Sequence, residues 1–186
     1  MMTKPSNYEE VKPSSNYETL TTGGHYLTIL NARETTSRKG KPMLVIEYDT
    51  HITDHQPNWF RDQYERAKQY SDNPYYRGTH YLMLTNEDWA VKNLKSFITS
   101  VEKSNADFEF DWDTKSLNGK NVGGVFGEVE SESPSNGKIY TNVELRGFCS
   151  EESVPTANKP AKRELPKSVS EPEPIKTDVS DLPFDL

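Results

Sequence analysis

Cysteine is almost absent: Cys149 stands alone among 186 residues. That excludes an intramolecular disulfide and argues against a thiolate metal site. Long apolar runs are missing too. No stretch approaches the roughly 18 apolar residues of a membrane span, and the N-terminus carries no apolar signal-peptide core. A soluble, cytoplasmic protein without membrane contact is the expectation. Hydrophobic residues make up only 32% of the chain, so one core over its whole length is not expected, and they concentrate between Tyr26 and Phe148. An excess of positive charge is lacking as well. The net charge is -7, which counts against a simple basic nucleic-acid binder. Residues 151–186 hold five Lys/Arg against eight Asp/Glu, and the rest of the chain 17 against 21. A binder built from this chain has to gather its cations on one face.

Catalytic signatures are equally scarce. Gly40-Lys41, Gly119-Lys120 and Gly137-Lys138 are followed by Pro42, Asn121 and Ile139, not by the Ser or Thr that holds magnesium in a phosphate-binding loop. Each reads as a turn. No serine or cysteine lies in a nucleophile context. Asp107, Glu109, Asp111 and Asp113 alternate with aromatics, as in a solvated strand rather than a catalytic pair. The one metal-like spacing is His51 with His55, beside Asp54. It lies in a segment that reads as a loop ahead of Pro57, so a shared helix face is not expected. No catalytic residue, no metal and no cofactor are expected; the chain does not read as an enzyme.

What is present is a β-rich body between two polar tails. Residues 1–22 form a polar N-terminal arm in which Ser6-Asn7-Tyr8-Glu9 recurs as Ser15-Asn16-Tyr17-Glu18. Gly23-Gly24 opens a first strand over 25–32; 34–41 is a basic turn; 42–48 is a second strand, with Pro42 where no ladder donor is needed. Residues 54–78 are irregular, with a short strand near 59–62 and then a loop or helical turn. A third strand is expected over 79–84. Thr85 reads as a helix N-cap, and Ala90, Leu94, Phe97, Ile98 and Val101 make one helical apolar stripe. Strands over 122–130 and 139–148 close the body. Gly123, Gly124 and Gly127 inside the former signal a bulge, strong curvature or close backbone approach. The expected fold is mainly β, a small OB-fold-like barrel with one helix over 23–150. A mixed α+β sandwich is the alternative. Prolines alternate with Ser, Lys and Glu over 151–186, a composition that cannot offset its chain entropy, so this tail is expected to be disordered.

The most informative chemistry is the mixture of rings and cations. Trp59, Phe60, Tyr64, Tyr75 and Tyr76 interleave with Arg61, Arg66 and Arg77. Single-stranded nucleic acid exposes base faces and phosphates together. Rings stack on the first and Arg or Lys neutralises the second, without regard to base sequence. Some of these rings must fill the core. Arg33, Arg38, Lys39 and Lys41 around the first turn are a second group, because that loop borders the binding groove of an OB-fold. Lys138 and Tyr140 on the last hairpin are a third.

The final residues, Asp181-Leu182-Pro183-Phe184-Asp185-Leu186, with Asp178 upstream, do nothing for a core. They resemble the acidic C-terminal tip of bacterial and phage single-stranded DNA-binding proteins, from which they depart by placing Asp185 and Leu186 after the aromatic. The body carries a separate resemblance. Gly23-Gly24-His25-Tyr26, Ser37 to Leu44, Leu94 to Ile98, Glu102 to Asn105, Trp112-Asp113 and Leu117 to Phe126 are similar to a family of small phage proteins of Gram-positive bacteria, often labelled single-stranded DNA-binding. That resemblance implies an OB-type protein in the bacterial host cell that coats single-stranded DNA during phage replication or recombination. The tail tip would then recruit a replication or recombination protein through Asp178, Asp181, Leu182, Pro183, Phe184 and Asp185. Homo-oligomerisation stays open. The alternative is a protein-interaction module that recruits or inhibits a host enzyme and never touches DNA, which the net negative body favours.

Overall fold

A computed structural model describes residues 18–166, with Thr3, Lys4, Ser6 and Tyr8 besides. The C-terminal tip, residues 178–186, lies outside the described residues, as does most of the N-terminal arm. The described chain runs β1 (Gly23–Thr36), β2 (Pro42–Thr50), α1 (Trp59–Lys68), β3 (Thr79–Met83), α2 (Asp88–Ser104), β4 (Asn121–Glu132) and β5 (Ile139–Cys149). Short 3-10 helices at Thr114–Leu117 and Glu151–Thr156 complete it.

The five strands form one antiparallel sheet in the order β3-β2-β1-β4-β5. β1 is its axis. Its first half pairs with β4, from Gly23 opposite Phe126 to Thr28 opposite Asn121. Its second half pairs with β2, from Leu27 opposite Thr50 to Thr36 opposite Pro42. The ladder to β2 shifts register between Ile29 and Asn31, and such an irregularity bends a strand and raises its twist. A second shift, between Val125 and Phe126, curls β4 against β5.

The closed barrel does not form: the sheet is open, with β3 and β5 as its edges. β3 is five residues long, too short to carry a ladder along the whole of β5. Side chains bridge the two edges instead. Phe148 of β5 meets His80 of β3 edge-on at 5.4 Å and Phe97 of α2 at 4.7 Å. Helix α2 lies against β3, β4 and β5 and buries Ala90, Phe97 and Val101 of the apolar stripe. Its start is Asp88, not the turn after Thr85.

The fold thus has two α-helices rather than one, and the extra one corrects the reading of 59–62 as a strand. Its first amide groups are held by the end of β2. Thr50 Oγ1 accepts from the Trp59 N–H at 2.8 Å, and the Asp49 carboxylate accepts from Phe60 at 2.9 Å and Arg61 at 3.3 Å. These bonds satisfy donors that a helix leaves without intrahelical partners. Asp49 is buried, and burial pushes its carboxyl above the usual range against the pull of those N–H bonds.

The body also extends further than 23–150. Leu20 is buried in the core, and Gln56 holds both the Thr21 N–H and the Thr19 carbonyl. Beyond β5, Val154 is buried over Gly24 and Gly123. A Cβ on Gly24 would collide with the Val154 carbonyl, and one on Gly123 with Cys149 Sγ and Val154 Cγ2. Arg163 bridges Val129 in parallel, exchanging backbone bonds with Glu128 and Glu130 at 2.9 Å. Lys162 pairs with Glu130 at 2.7 Å and Lys159 with Glu128 at 3.9 Å. The expected disordered tail therefore does not begin at 151: residues 162–164 run along the β4 edge left free beyond Gly23, where β1 begins. No described helix is long and apolar enough to cross a membrane.

Candidate nucleic-acid interface

The unclosed seam opens at one end into a groove of about 630 Å³, within the ordinary size range of ligand sites. Thr79 and His80 of β3 form one bank and Thr141 to Leu145 of β5 the other. Tyr48, Phe60 and Phe126 make the floor, and Glu18 to Leu20 close one end. Trp59 and Gln63 of α1 overlook it, with Tyr75 and Arg77 from the connection to β3. The aromatic floor is fixed by edge contacts: Tyr48 meets Phe60 at 5.3 Å and Phe126 at 6.3 Å. Burial pushes the Tyr48 phenol far above its ordinary value, with Tyr76 and Glu144 adding to the effect, so it stays neutral. His80 is shifted the other way, since burial disfavours the imidazolium.

The sequence-derived candidates divide here. Trp59, Tyr75 and Arg77 come together on the groove; Trp59 is half-buried, with part of its ring packed against the core, and Tyr75 is 65% exposed. Phe60 is a correction: at 6% exposure it belongs to the core and presents no free face for stacking. Tyr76 packs against the core too, and its hydroxyl donates to the Tyr48 carbonyl at 3.0 Å. Tyr64 is half-buried, edge-on to Tyr76 at 5.7 Å and with Lys68 Nζ 4.7 Å over its ring. Arg61 lies 3.8 Å from Asp49, Arg33 is 3.2 Å from Glu47, and Lys41 is 3.2 Å from Glu87. These three cations are partly neutralised. Arg38, Lys39, Arg66, Arg77 and Lys138 have no ion pair among the described residues. Tyr140 is exposed on β5 near the hairpin tip.

A second surface escaped sequence reasoning. On the sheet face away from the main core cluster, Arg33, Val45 and Tyr81 are opposite one another across β1, β2 and β3, with Val45 itself buried, and Thr35, Met43 and Met83 form the next row. Tyr81 is exposed. Alternation along β3, with Leu82 buried and Tyr81 out, was the signal that could have placed Tyr81 there. No model of a protein family matches the chain, and no curated protein matches it in sequence.

The histidines also rearrange. His51 turns to Thr53, its Nδ1 2.8 Å from Thr53 Oγ1. Asp54 and His55 instead meet His25 of β1, which sequence spacing could not bring to them. His25 Nδ1 lies 3.0 Å from Asp54 Oδ1 in a fully buried contact. Burial would raise the Asp54 carboxyl, but bonds from His25 and from the Gln56 and Tyr26 N–H groups outweigh it and hold it below the usual range.

Proposed function

We propose that the chain is a sequence-independent single-stranded DNA-binding protein of phage replication or recombination, with the groove as its strand-binding site. The observation that carries this reading is Trp59, Tyr75 and Arg77 together over an open, aromatic-floored groove. Ring faces for bases beside a cation for phosphate are what a strand without fixed sequence requires. The topology supports it. Strand order β3-β2-β1-β4-β5, with the long helix between β3 and β4, is compatible with an OB-fold opened along β3 and β5. OB barrels are themselves partly open. Arg38 and Lys39 at the β1–β2 tip and Lys138 at the β4–β5 tip add charge that has no ion pair among the described residues. The phage-family likeness of the body and the acidic tip at 178–186 agree with it.

The tip would serve as the docking peptide for a replication or recombination partner, with Phe184 in an apolar pocket and the acids at its basic rim. Oligo-dT titrations at two salt concentrations test the DNA reading. Affinity should fall steeply with salt, by ~0.7 log unit per log unit for each phosphate neutralised. Absence of binding at low ionic strength ends it. Deleting 178–186 should preserve DNA binding and abolish partner capture.

One observation favours the second reading, a protein-interaction module. Arg33, Lys41 and Arg61 are each committed to an acid, and Glu18 and Glu144 line the groove. Under that reading the groove takes a peptide, and the oligo-dT titration is flat at every salt concentration.

A further inference from the structure

We infer that His25, Asp54 and His55 form a binding site for a divalent transition-metal ion of the zinc type, independent of the DNA reading. One ligand atom from each of the three lies within 4.8 Å of the others. His25 Nδ1 is 3.0 Å and His55 Nδ1 3.5 Å from the same oxygen, Asp54 Oδ1. A tetrahedral ion with bonds of ~2.0–2.1 Å keeps its ligands about 3.3 Å apart. The two measured separations bracket that value. Two imidazoles and a carboxylate also match the donor preference of zinc.

The surroundings are those that orient metal ligands. A ligating histidine usually gives its other ring N–H to a carbonyl or carboxylate. His25 Nε2 donates to the Thr21 carbonyl oxygen at 3.0 Å, which aims Nδ1 at Asp54; the ion would displace the Nδ1 proton that bridges to Asp54 in the metal-free site. His55 Nε2 lies 2.7 Å from Thr21 Oγ1, so one threonine serves both rings. Asp54 Oδ2 accepts from the Tyr26 N–H at 2.8 Å, and Oδ1 from the Gln56 N–H at 2.8 Å. The carboxylate is thereby held in place with one direction on Oδ1 facing the two rings.

One adjustment is required. The rings of His25 and His55 are stacked, 4.4 Å apart and 29° from parallel. Lone pairs in near-parallel planes do not converge on one ion, so binding includes rotation of His55. That ring is 55% exposed and tied through Nε2 only to the rotatable Thr21 hydroxyl, whereas His25 and Asp54 are locked. The ion would join the start of β1 to the loop after β2. Those two pieces lead directly to Leu20 and Trp59, which line the groove.

The test is calorimetric titration of Zn²⁺ into chelator-treated full-length protein, alongside His55→Ala, His55→Gln and His51→Ala. Far-UV circular dichroism checks that each variant is folded. The wild type and His51→Ala should each take up one equivalent of Zn²⁺. Both His55 variants should bind at least ~10-fold more weakly, a loss that changes around metal ligands already cause. Cobalt in place of zinc should give the visible absorption of a tetrahedral ion in the wild type and lose it in both His55 variants. Three results would overturn the site: no Zn²⁺ uptake by the wild type, equal affinity in the His55 variants, or loss of binding in His51→Ala.

Discussion

The two ends of the seam between β3 and β5 solve the same problem differently. At one end Phe97 of α2, Phe148 and His80 fill the gap with interlocked rings. At the other end Trp59, Tyr75 and Arg77 stand over an open groove. Both ends are rich in aromatics. What separates them is the helix beside each: α2 packs on β3, β4 and β5, and α1 on β2. α2 sends its apolar stripe inward, so its rings become core. α1 buries Phe60 alone among its residues and leaves the others half-buried or exposed. A sheet that omits its last ladder can place stability at one end of the seam and an accessible site at the other.

Substitutions should separate the two ends. The largest effect is expected from Phe97→Ala, which removes a fully buried ring from the sealed end. It should cost ~3–5 kcal/mol of stability in denaturant unfolding. Tyr75→Ala at the open end should behave in the opposite way. Its unfolding free energy should stay within ~0.5 kcal/mol of wild type, while oligo-dT affinity falls by ~1–3 kcal/mol. If Tyr75→Ala unfolds easily, or leaves DNA binding intact, the division of the seam is wrong.

His80 lies where the two ends meet, and pH should reveal it. Its folded-state pKa is depressed by burial, so the folded protein resists a proton that the unfolded chain accepts. Its contribution is present above the unfolded value of ~6.5 and is lost as pH falls from there through the folded pKa. His80→Gln should flatten that part of the stability–pH curve measured by urea unfolding. The smallest effect is expected from Arg77→Gln. It should lower the slope of log affinity against log salt by ~0.7, the share of one phosphate contact, with no change in unfolding midpoint.

The parts of this architecture legible in the sequence are those coded by local period. The β1–β2 hairpin followed from β-favouring runs around a basic turn. The stripe from Ala90 to Val101 announced a helix, and the glycines of β4 announced close approach. Helix α1 was misread because the groups that hold its N-terminus, Asp49 and Thr50, belong to the preceding strand. For the same reason Phe60 and Tyr75, neighbours in composition, could not be sorted into core and surface. The placement of 151–166 depends on Gly24, Gly123 and the acids of β4, all far away in sequence. His25 meets Asp54 and His55 only through the fold. In each case the missing information was a long-range contact, which composition and spacing do not carry.

The central claim is that single-stranded DNA lies in the open end of the seam. Photocrosslinking with oligo-dT carrying 5-iododeoxyuridine, followed by peptide mapping, tests it most directly. The account predicts adducts at Trp59 and Tyr75, and none at Trp112 or Trp89, which are exposed but lie outside the groove. Adducts confined to Trp112 or Trp89, or none at all under conditions where the oligonucleotide is bound, would contradict it.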